Sequence, residues 1–456
     1  MNNTTLNLSE MMLDFESFHP DIVELNPEQI NQALNLSQTI DSSQQWRVYL
    51  NALGCFGLEN WLAENSSDLI LNTENCSLDK PELNFYSDAI FQLQVNQFKV
   101  CLLTVGSLTD EVVTVPRMVL DLPEYTAHFY IVVEVQEELE TACVCGFFSY
   151  QDWQQYQAAA ALQPELDWTY SIPLAWMNLN PEQLLLQWRC LTPANIPLLP
   201  IPNRTTELTA IAAELQKIIP NLPSENQTII PLWQQLSWQQ ASVVLTQSEL
   251  LQWVYQIQTI ETPNPSIISQ LRQHLSDIVK LLTQPSINVS RWLSNQLDDI
   301  ATELSWILLP NLSLSPATAM RSGADNLTNL LQELQQLGVE IPPEIGGAYQ
   351  DLQLNNTPLR LYTVTWSLDS VETNPEWILL LILGTPSGVN LPSGVGLRVS
   401  DATEILDEQQ LSRESSIPYL YTQVIGSWHE KFIVTLTTAS GTEETLPPLT
   451  FNPDSN

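Results

Sequence analysis

Apolar residues recur along this chain with two different periods, and the change of period divides it into three stretches. Between about residues 206 and 340 the spacing is three and four. One set is Ile268, Leu271, Leu275, Ile278 and Leu282. A second is Leu293, Leu297, Ile300, Leu304 and Ile307, and a third is Leu327, Leu330, Leu334 and Leu337. Such spacing lays one apolar stripe along a helix, and the stripe needs a neighbour to cover it. The stripes are too short for sustained heptads, so they predict a compact helical region rather than a coiled coil. No repeat at a fixed period signals a solenoid.

On either side the period drops to two, in short runs rich in β-branched and aromatic residues that read as strands. Upstream these are AIFQLQV, QFKVCLLTV, EVVTVPRMVL and AHFYIVVEVQ. Downstream they are LRLYTVTWSL, EWILLLILG, GLRVSDAT, YLYTQVIG, KFIVTLTT and LPPLTF. The uninterrupted apolar run Trp377 to Leu383 fits a central strand buried on both faces. In the upstream part, ELNPEQINQAL places Asn26 to cap a helix and Pro27 at its first position. The tetrapeptide NPEQ returns at Asn180 to Gln183, and both copies read as helix starts.

Two proline-rich breaks punctuate the chain, TPANIPLLPIPNRT (Thr192 to Thr205) and IPPEIGGAY (Ile341 to Tyr349). With a length of 456 residues that suggests about three domains, the expected fold is α+β and multidomain. Residues 1–24 form a flexible tail and 25–200 a mixed α/β domain. Residues 201–345 form a helical region and 346–456 an antiparallel β-sandwich.

Charge narrows the function. The chain carries 52 acidic and 15 basic residues, a net −37, and only 15% of its residues are charged. Its bases are scattered singly, with none between Arg117 and Arg189. Nucleic-acid binding needs clustered Lys and Arg to displace counterions, so that class is set aside. An anionic membrane surface repels such a chain for the same reason. The acidity reads either as a solubility device or, more sharply, as a surface that attracts a basic protein partner and speeds its encounter. The segment MNNTTLNLSEMMLDFE has no basic region leading into an apolar stretch, so no secretory signal is expected there. Cysteines 55, 76, 101, 143, 145 and 190 are expected to be reduced thiols, which makes a cytoplasmic location the expectation.

Candidate chemistry is sparse. SWHEKFIVTL contains His429-Glu430, but a zinc-binding His-Glu-x-x-His needs a second histidine where Ile433 stands. Phe432, Val434 and Leu436 alternate with Lys431, Thr435 and Thr437. This is strand periodicity, which would aim His429 and Glu430 to opposite faces. His429 is then a surface or turn residue. His19, His128 and His274 lie in separate regions, with His274 at a stripe edge. Cys143-x-Cys145 lacks the second pair a metal site needs. Phosphate-loop, dinucleotide and nucleophile-elbow motifs are missing from the sequence. Asp298, Asp299 and Glu303 read as a solvated helix face. Tyr362 with Trp366, and Tyr419 with Tyr421, share strand faces and form the candidate interaction surface, weighed against plain core packing.

The phrases NPEQLLLQWRCLTPANIPLLP, EWILLLILGTPSGVNLPSGVGLRVSDAT and YLYTQVIGSWHEKFIVTLTTASGTEETLPPLTF resemble a cyanobacterial family known only as domain of unknown function eighteen-twenty-two. The likeness runs from near the amino terminus to the end and is most specific in the carboxy-terminal phrases. It implies a cyanobacterial source and no established activity. It also implies proximity to genes for alternative sigma factors, and through that a regulatory, transcription-related setting.

The reading is a non-enzymatic, acidic interaction or regulatory protein that binds a basic protein partner, with no cofactor, metal or catalytic residue assigned. Two alternatives stand beside it. One is a hydrolase whose site is assembled from distant residues; the other is glycan binding by the carboxy-terminal sandwich.

Overall fold

The computed structural model describes residues 22–38, 44–106, 111–218, 232–259, 265–309, 324–368, 375–412 and 418–453. The chain is α+β and forms two compact units, Met1–Arg204 with Pro223–Glu261, and Thr205–Leu222 with Thr262–Asn456. No described helix is long and apolar enough to cross a membrane. Helices of the middle stretch are shared out, Trp238–Thr246 and Ser248–Thr259 to the first unit, and Thr205–Ile218, Pro265–Thr283 and Ala324–Gln336 to the second.

The first unit is built on a six-stranded sheet. Its order is Ile22–Glu24, Thr141–Ser149, Phe129–Gln136, Phe98–Val105, Ala89–Val95 and Leu71–Asn72. Phe98–Val105 and Phe129–Gln136 run parallel, and the other neighbours are antiparallel. Of the tail expected over residues 1–24, residues 1–21, including His19, lie outside the described residues. Ile22–Glu24 is not tail but an edge strand, fixed by burial of Val23 and pairing with Thr141–Cys143.

The long helix Gln45–Asn65 crosses this sheet with Val48, Ala52, Leu53, Cys55, Leu58 and Trp61 buried. Gly54 and Gly57 set how close it comes. A Cβ on Gly57 would lie 2.3 Å from the Ala142 Cβ, and one on Gly54 would lie 2.6 Å from the Thr104 Oγ1. Only hydrogen atoms fit in those gaps. Both NPEQ copies start helices as their chemistry requires. The Gln29 N–H donates to Asn26 Oδ1 (2.9 Å), and the Asn26 N–H donates back to Gln29 Oε1 (3.1 Å), closing a capping box on Pro27–Gln38. Asn180 Oδ1 accepts from the Glu182 N–H (3.1 Å) ahead of helix Pro181–Cys190. The run EVVTVPRMVL is only half strand. Val112–Pro116 pairs with Thr169–Pro173, and Arg117–Asp121 then turns helical, closed by the Arg117 Nε to Asp121 Oδ2 bond at 2.7 Å.

The second unit contains two sheets. One runs Ile307–Leu308, Gly346–Leu354, Thr357–Leu368, Glu376–Gly384 and Leu420–Ser427, all antiparallel. The other runs Ile405–Gln410, Gly396–Ser400, Lys431–Thr437, Leu449–Thr450 and Ile287–Asn288, with Glu443–Thr445 also on Lys431–Thr437. Glu376–Gly384 explains the long apolar run. Trp377, Leu379, Leu381 and Leu383 share a core with Leu397, Val399, Phe432, Val434 and Leu436 of the other sheet. Ile378, Leu380 and Ile382 face the opposite way, beneath Leu327, Leu331 and Leu334 of helix Ala324–Gln336. Leu337, counted in that stripe, lies past the helix end and is 62% exposed.

Two expectations change here. The stripe from Leu293 to Ile307 is no single helix but a 3-10 turn Val289–Ser294, a short helix Asp299–Glu303 and the strand Ile307–Leu308. Left-handed backbone at Asn295 (φ 55°) and Ser305 (φ 60°) breaks the rise, and Asp298 starts a fresh helix by capping it. The second break, read over Ile341 to Tyr349, ends early because Gly346 opens the paired strand Gly346–Leu354. A Cβ there would lie 2.6 Å from the Leu293 nitrogen, so glycine is what lets the 3-10 turn press against the strand.

On the outer side of the Gly396–Ser400 strand lies a buried polar group of residues. Asp277 of helix Pro265–Thr283 accepts from Ser400 Oγ (2.7 Å) and pairs with Arg398 Nη2 (3.4 Å) through the same oxygen, Oδ2. His274, one turn earlier, places Nε2 3.4 Å from the Asp401 carbonyl oxygen, and all four of these side chains are buried.

Candidate binding cleft

The residues singled out in the sequence do not assemble into a reactive site. His429 and Glu430 lie in the tight turn between Leu420–Ser427 and Lys431–Thr437, not on pleated strand. Glu430 makes that turn. Its Oε2 accepts from the Ser427 N–H (2.7 Å) while its own N–H donates to the Ser427 carbonyl (3.1 Å). His429 is exposed, with a left-handed φ of 70°, and its N–H donates to the Phe451 carbonyl (3.0 Å). Asp298 is not simply solvated. It caps Ala301 through Oδ1 (2.7 Å) and takes the Asn288 N–H on Oδ2 (2.7 Å), whereas Asp299 and Glu303 are exposed.

Cys143 and Cys145 share a face and are half-buried. The hydrogen bond with Cys143 and then burial push the Cys145 thiol far above its ordinary value, which disfavours the thiolate a metal needs. Among the described residues, no group of three or more His, Cys, Asp and Glu side chains is placed to hold a metal ion.

Tyr362, Trp366, Tyr419 and Tyr421 do come together, on the sheet face that helix Ala324–Gln336 covers. Tyr362 (3% exposed) and Trp366 (2%) are core residues with no ring face open to a partner. The covering helix is the reason, and a single strand's alternation could not reveal it. Tyr419 and Tyr421 are half-buried at the edge, their ring centroids 6.3 Å apart. Burial and the nearby Glu333 push the Tyr419 phenol up to about 12.

A different aromatic group lines a cleft of about 230 Å³ in the first unit. Phe85 and Tyr86 close the helix Pro81–Tyr86, their rings edge to face at 5.0 Å. The Tyr86 hydroxyl donates to Gln258 Oε1, and burial raises its pKa well above the ordinary phenol value, so it stays a neutral donor. Asp88 follows and forms an ion pair with Arg47 from the first turn of the long helix. Across the cleft, Asp167 and Trp168 precede the strand Thr169–Pro173, and Trp238 opens the helix Trp238–Thr246.

Trp168 has a left-handed φ of 62°, which is costly for a bulky side chain. Two backbone bonds hold it there. Its N–H donates to the Glu165 carbonyl (3.1 Å), and its carbonyl accepts from the Arg117 N–H (2.7 Å). The strain aims the indole at Trp238, edge to face at 5.4 Å. The Arg117 guanidinium already lies 4.2 Å from the Trp238 ring centroid while bonding Asp121. Beside the cleft the chain itself thus sets a guanidinium between the Trp238 ring and a carboxylate. Trp46, beside Arg47 in sequence, is 60% exposed.

Sequence reasoning missed this site because its parts come from positions 44 to 245 with no shared spacing. Fourteen tryptophans in an acidic chain are the one compositional hint.

No curated protein matches the chain. The family model described as protein of unknown function (DUF1822) matches residues 23–447, nearly the whole length. The chain belongs to that family.

Proposed function

We propose that this chain is a non-enzymatic, acidic interaction protein whose cleft takes a basic segment of a regulatory protein partner. The observation that carries the reading is the cleft itself. Phe85, Tyr86, Trp168 and Trp238 line a cavity of about 230 Å³ in which Asp88 is already paired with Arg47, so that Asp167 is the carboxylate left to meet a base. An arginine or lysine entering there gains a cation–π contact worth about 0.5–2 kcal/mol and a charge-assisted hydrogen bond worth about 1.5–3 kcal/mol. A net charge of −37 speeds the encounter at low salt.

A hydrolase reading would draw on Asp88 and Asp167 as acid and base. It is weaker because Asp88 is engaged in an ion pair with Arg47 instead of standing free to transfer a proton. The finer structural and cellular readings belong to the same proposal. The shared core of the two sheets in the second unit supports a β-sandwich. The six free cysteines support a reducing, cytoplasmic setting.

Calorimetric titration of an arginine-rich peptide into the full chain tests the function. Binding is expected at low ionic strength, weakening as added salt shortens the Debye length. Trp168→Ala is expected to weaken it about tenfold, a loss of about 1.4 kcal/mol. An absence of binding at low salt, or a Trp168→Ala protein that binds like the wild type, would overturn the proposal.

A further inference from the structure

The first unit holds a second cavity, of about 290 Å³, whose chemistry is opposite to that of the cleft. Lys80 and Lys99 both line it, and Arg204 lies just behind the wall, bonded to the lining residue Glu124 at 2.7 and 3.2 Å. Three of the chain's 15 bases therefore gather at one place in a sequence that otherwise scatters them. Glu124 is neutralised by Arg204, which leaves two ammonium groups facing the single open carboxylate of Glu74. Counted with Arg204, the cavity gathers three bases against two acids on a molecule of net charge −37.

Its walls are arranged, and at a cost. The register of strand Ala89–Val95 against Phe98–Val105 slips between Ile90 and Leu93, a β-bulge. Gln92 sits in that bulge with a left-handed φ of 63°. The side chain it re-aims accepts from Lys80 Nζ at 3.0 Å. Asn75, also lining the cavity, has the same left-handed φ of 63°. Bulges that redirect a side chain, and non-glycine residues held in left-handed backbone, gather where a fold presents groups to a ligand. Gln92 fixes the Lys80 ammonium at the cavity while leaving it unneutralised, since an amide oxygen carries no charge.

We infer that this cavity binds a small oxyanion-bearing metabolite, with Lys80 and Lys99 receiving its carboxylate or phosphate oxygens and Gln92 positioning Lys80. The site is independent of the aromatic cleft, and the two readings stand or fall separately.

Thermal-shift and calorimetric titrations of the full chain with inorganic phosphate, pyrophosphate and citrate test it, and the three probes separate phosphate from carboxylate chemistry. At least one is expected to bind saturably and raise the melting temperature. Lys80→Met and Lys99→Met are each expected to weaken that probe tenfold or more. Gln92→Gly separates positioning from structure, because glycine relieves the left-handed backbone. The free protein should melt higher while the probe binds at least threefold more weakly. Three results would overturn the inference: no probe binding, binding indifferent to both lysine substitutions, or Gln92→Gly moving stability without moving affinity.

Discussion

Gly57→Ala puts one methyl group where the long helix meets the sheet, and the structure sets the size of the effect. The new Cβ would lie 2.3 Å from the Ala142 Cβ. Carbon atoms in contact prefer ~3.5–4.0 Å, so helix and strand must part by roughly 1.2–1.7 Å. The Ala142 Cβ is bonded directly to the strand backbone and has no torsion with which to retreat. Overpacking of this kind costs about 1–3 kcal/mol, while replacing glycine inside a helix returns about 1 kcal/mol. Because Ala142 cannot retreat, the upper part of that range applies, about 2–3 kcal/mol, and packing should win with a net loss of about 1–2 kcal/mol. Equilibrium urea unfolding followed by tryptophan fluorescence would read this as a lower midpoint at unchanged slope.

Two companion variants give the prediction its edge. Ala142→Gly removes the clashing atom, so the loss from Gly57→Ala should largely vanish in that background. Gly54→Ala should cost less than Gly57→Ala. Its clash is with the Thr104 side chain, which can rotate, and the Thr104 hydroxyl has no hydrogen-bond partner among the described residues to lose. The reasoning fails if Gly57→Ala matches or exceeds wild-type stability, or loses as much with glycine at position 142.

Further expectations concern the buried polar groups. Asp277→Asn leaves the buried Arg398 charge with only the longer contact to Glu443 (3.8 Å), so about 3 kcal/mol should be lost in urea unfolding; a loss under about 1 kcal/mol would show that the pair is not desolvated. His128 and His274 both have pKa values held below the ordinary imidazole value, mainly by burial. A depressed histidine pKa means that the unfolded chain binds more protons, so stability falls as pH drops below about 6.5 and levels off below the folded-state value. His128→Asn keeps the acceptor that receives the Lys99 N–H (2.8 Å), and together with His274→Gln it should flatten that slope in thermal scans. An unchanged slope would mean that these imidazoles charge freely in the fold.

Local chemistry was legible in the sequence wherever the signal was local. Asn26 and Asn180 announce helix starts because a cap and its partner are two or three residues apart. The run Trp377 to Leu383 announces a strand with two covered faces because every residue in it is apolar. Signals failed where distant chain decides the outcome. Leu293 to Ile307 has helical spacing, yet Asn295 and Ser305 adopt left-handed backbone and the segment folds against Gly346. Tyr362 and Trp366 share a strand face as expected, but the covering helix comes from residues 324–336. His429 lies in an exposed turn, as its surface-or-turn reading has it, but the strand alternation does not reach back to Glu430, whose side chain closes that turn. The cleft was invisible for the same reason. Trp168 and Trp238 are 70 residues apart in sequence, and only the fold sets their rings at 5.4 Å.

Hydrogen exchange of the full chain, with and without an arginine-rich peptide, tests the central claim most directly. Amides of residues 165–169, the Arg117 amide that bonds the Trp168 carbonyl, and residues 85–88 should exchange more slowly once the peptide occupies the cleft. Protection confined elsewhere, or none while the peptide is bound, would contradict the account.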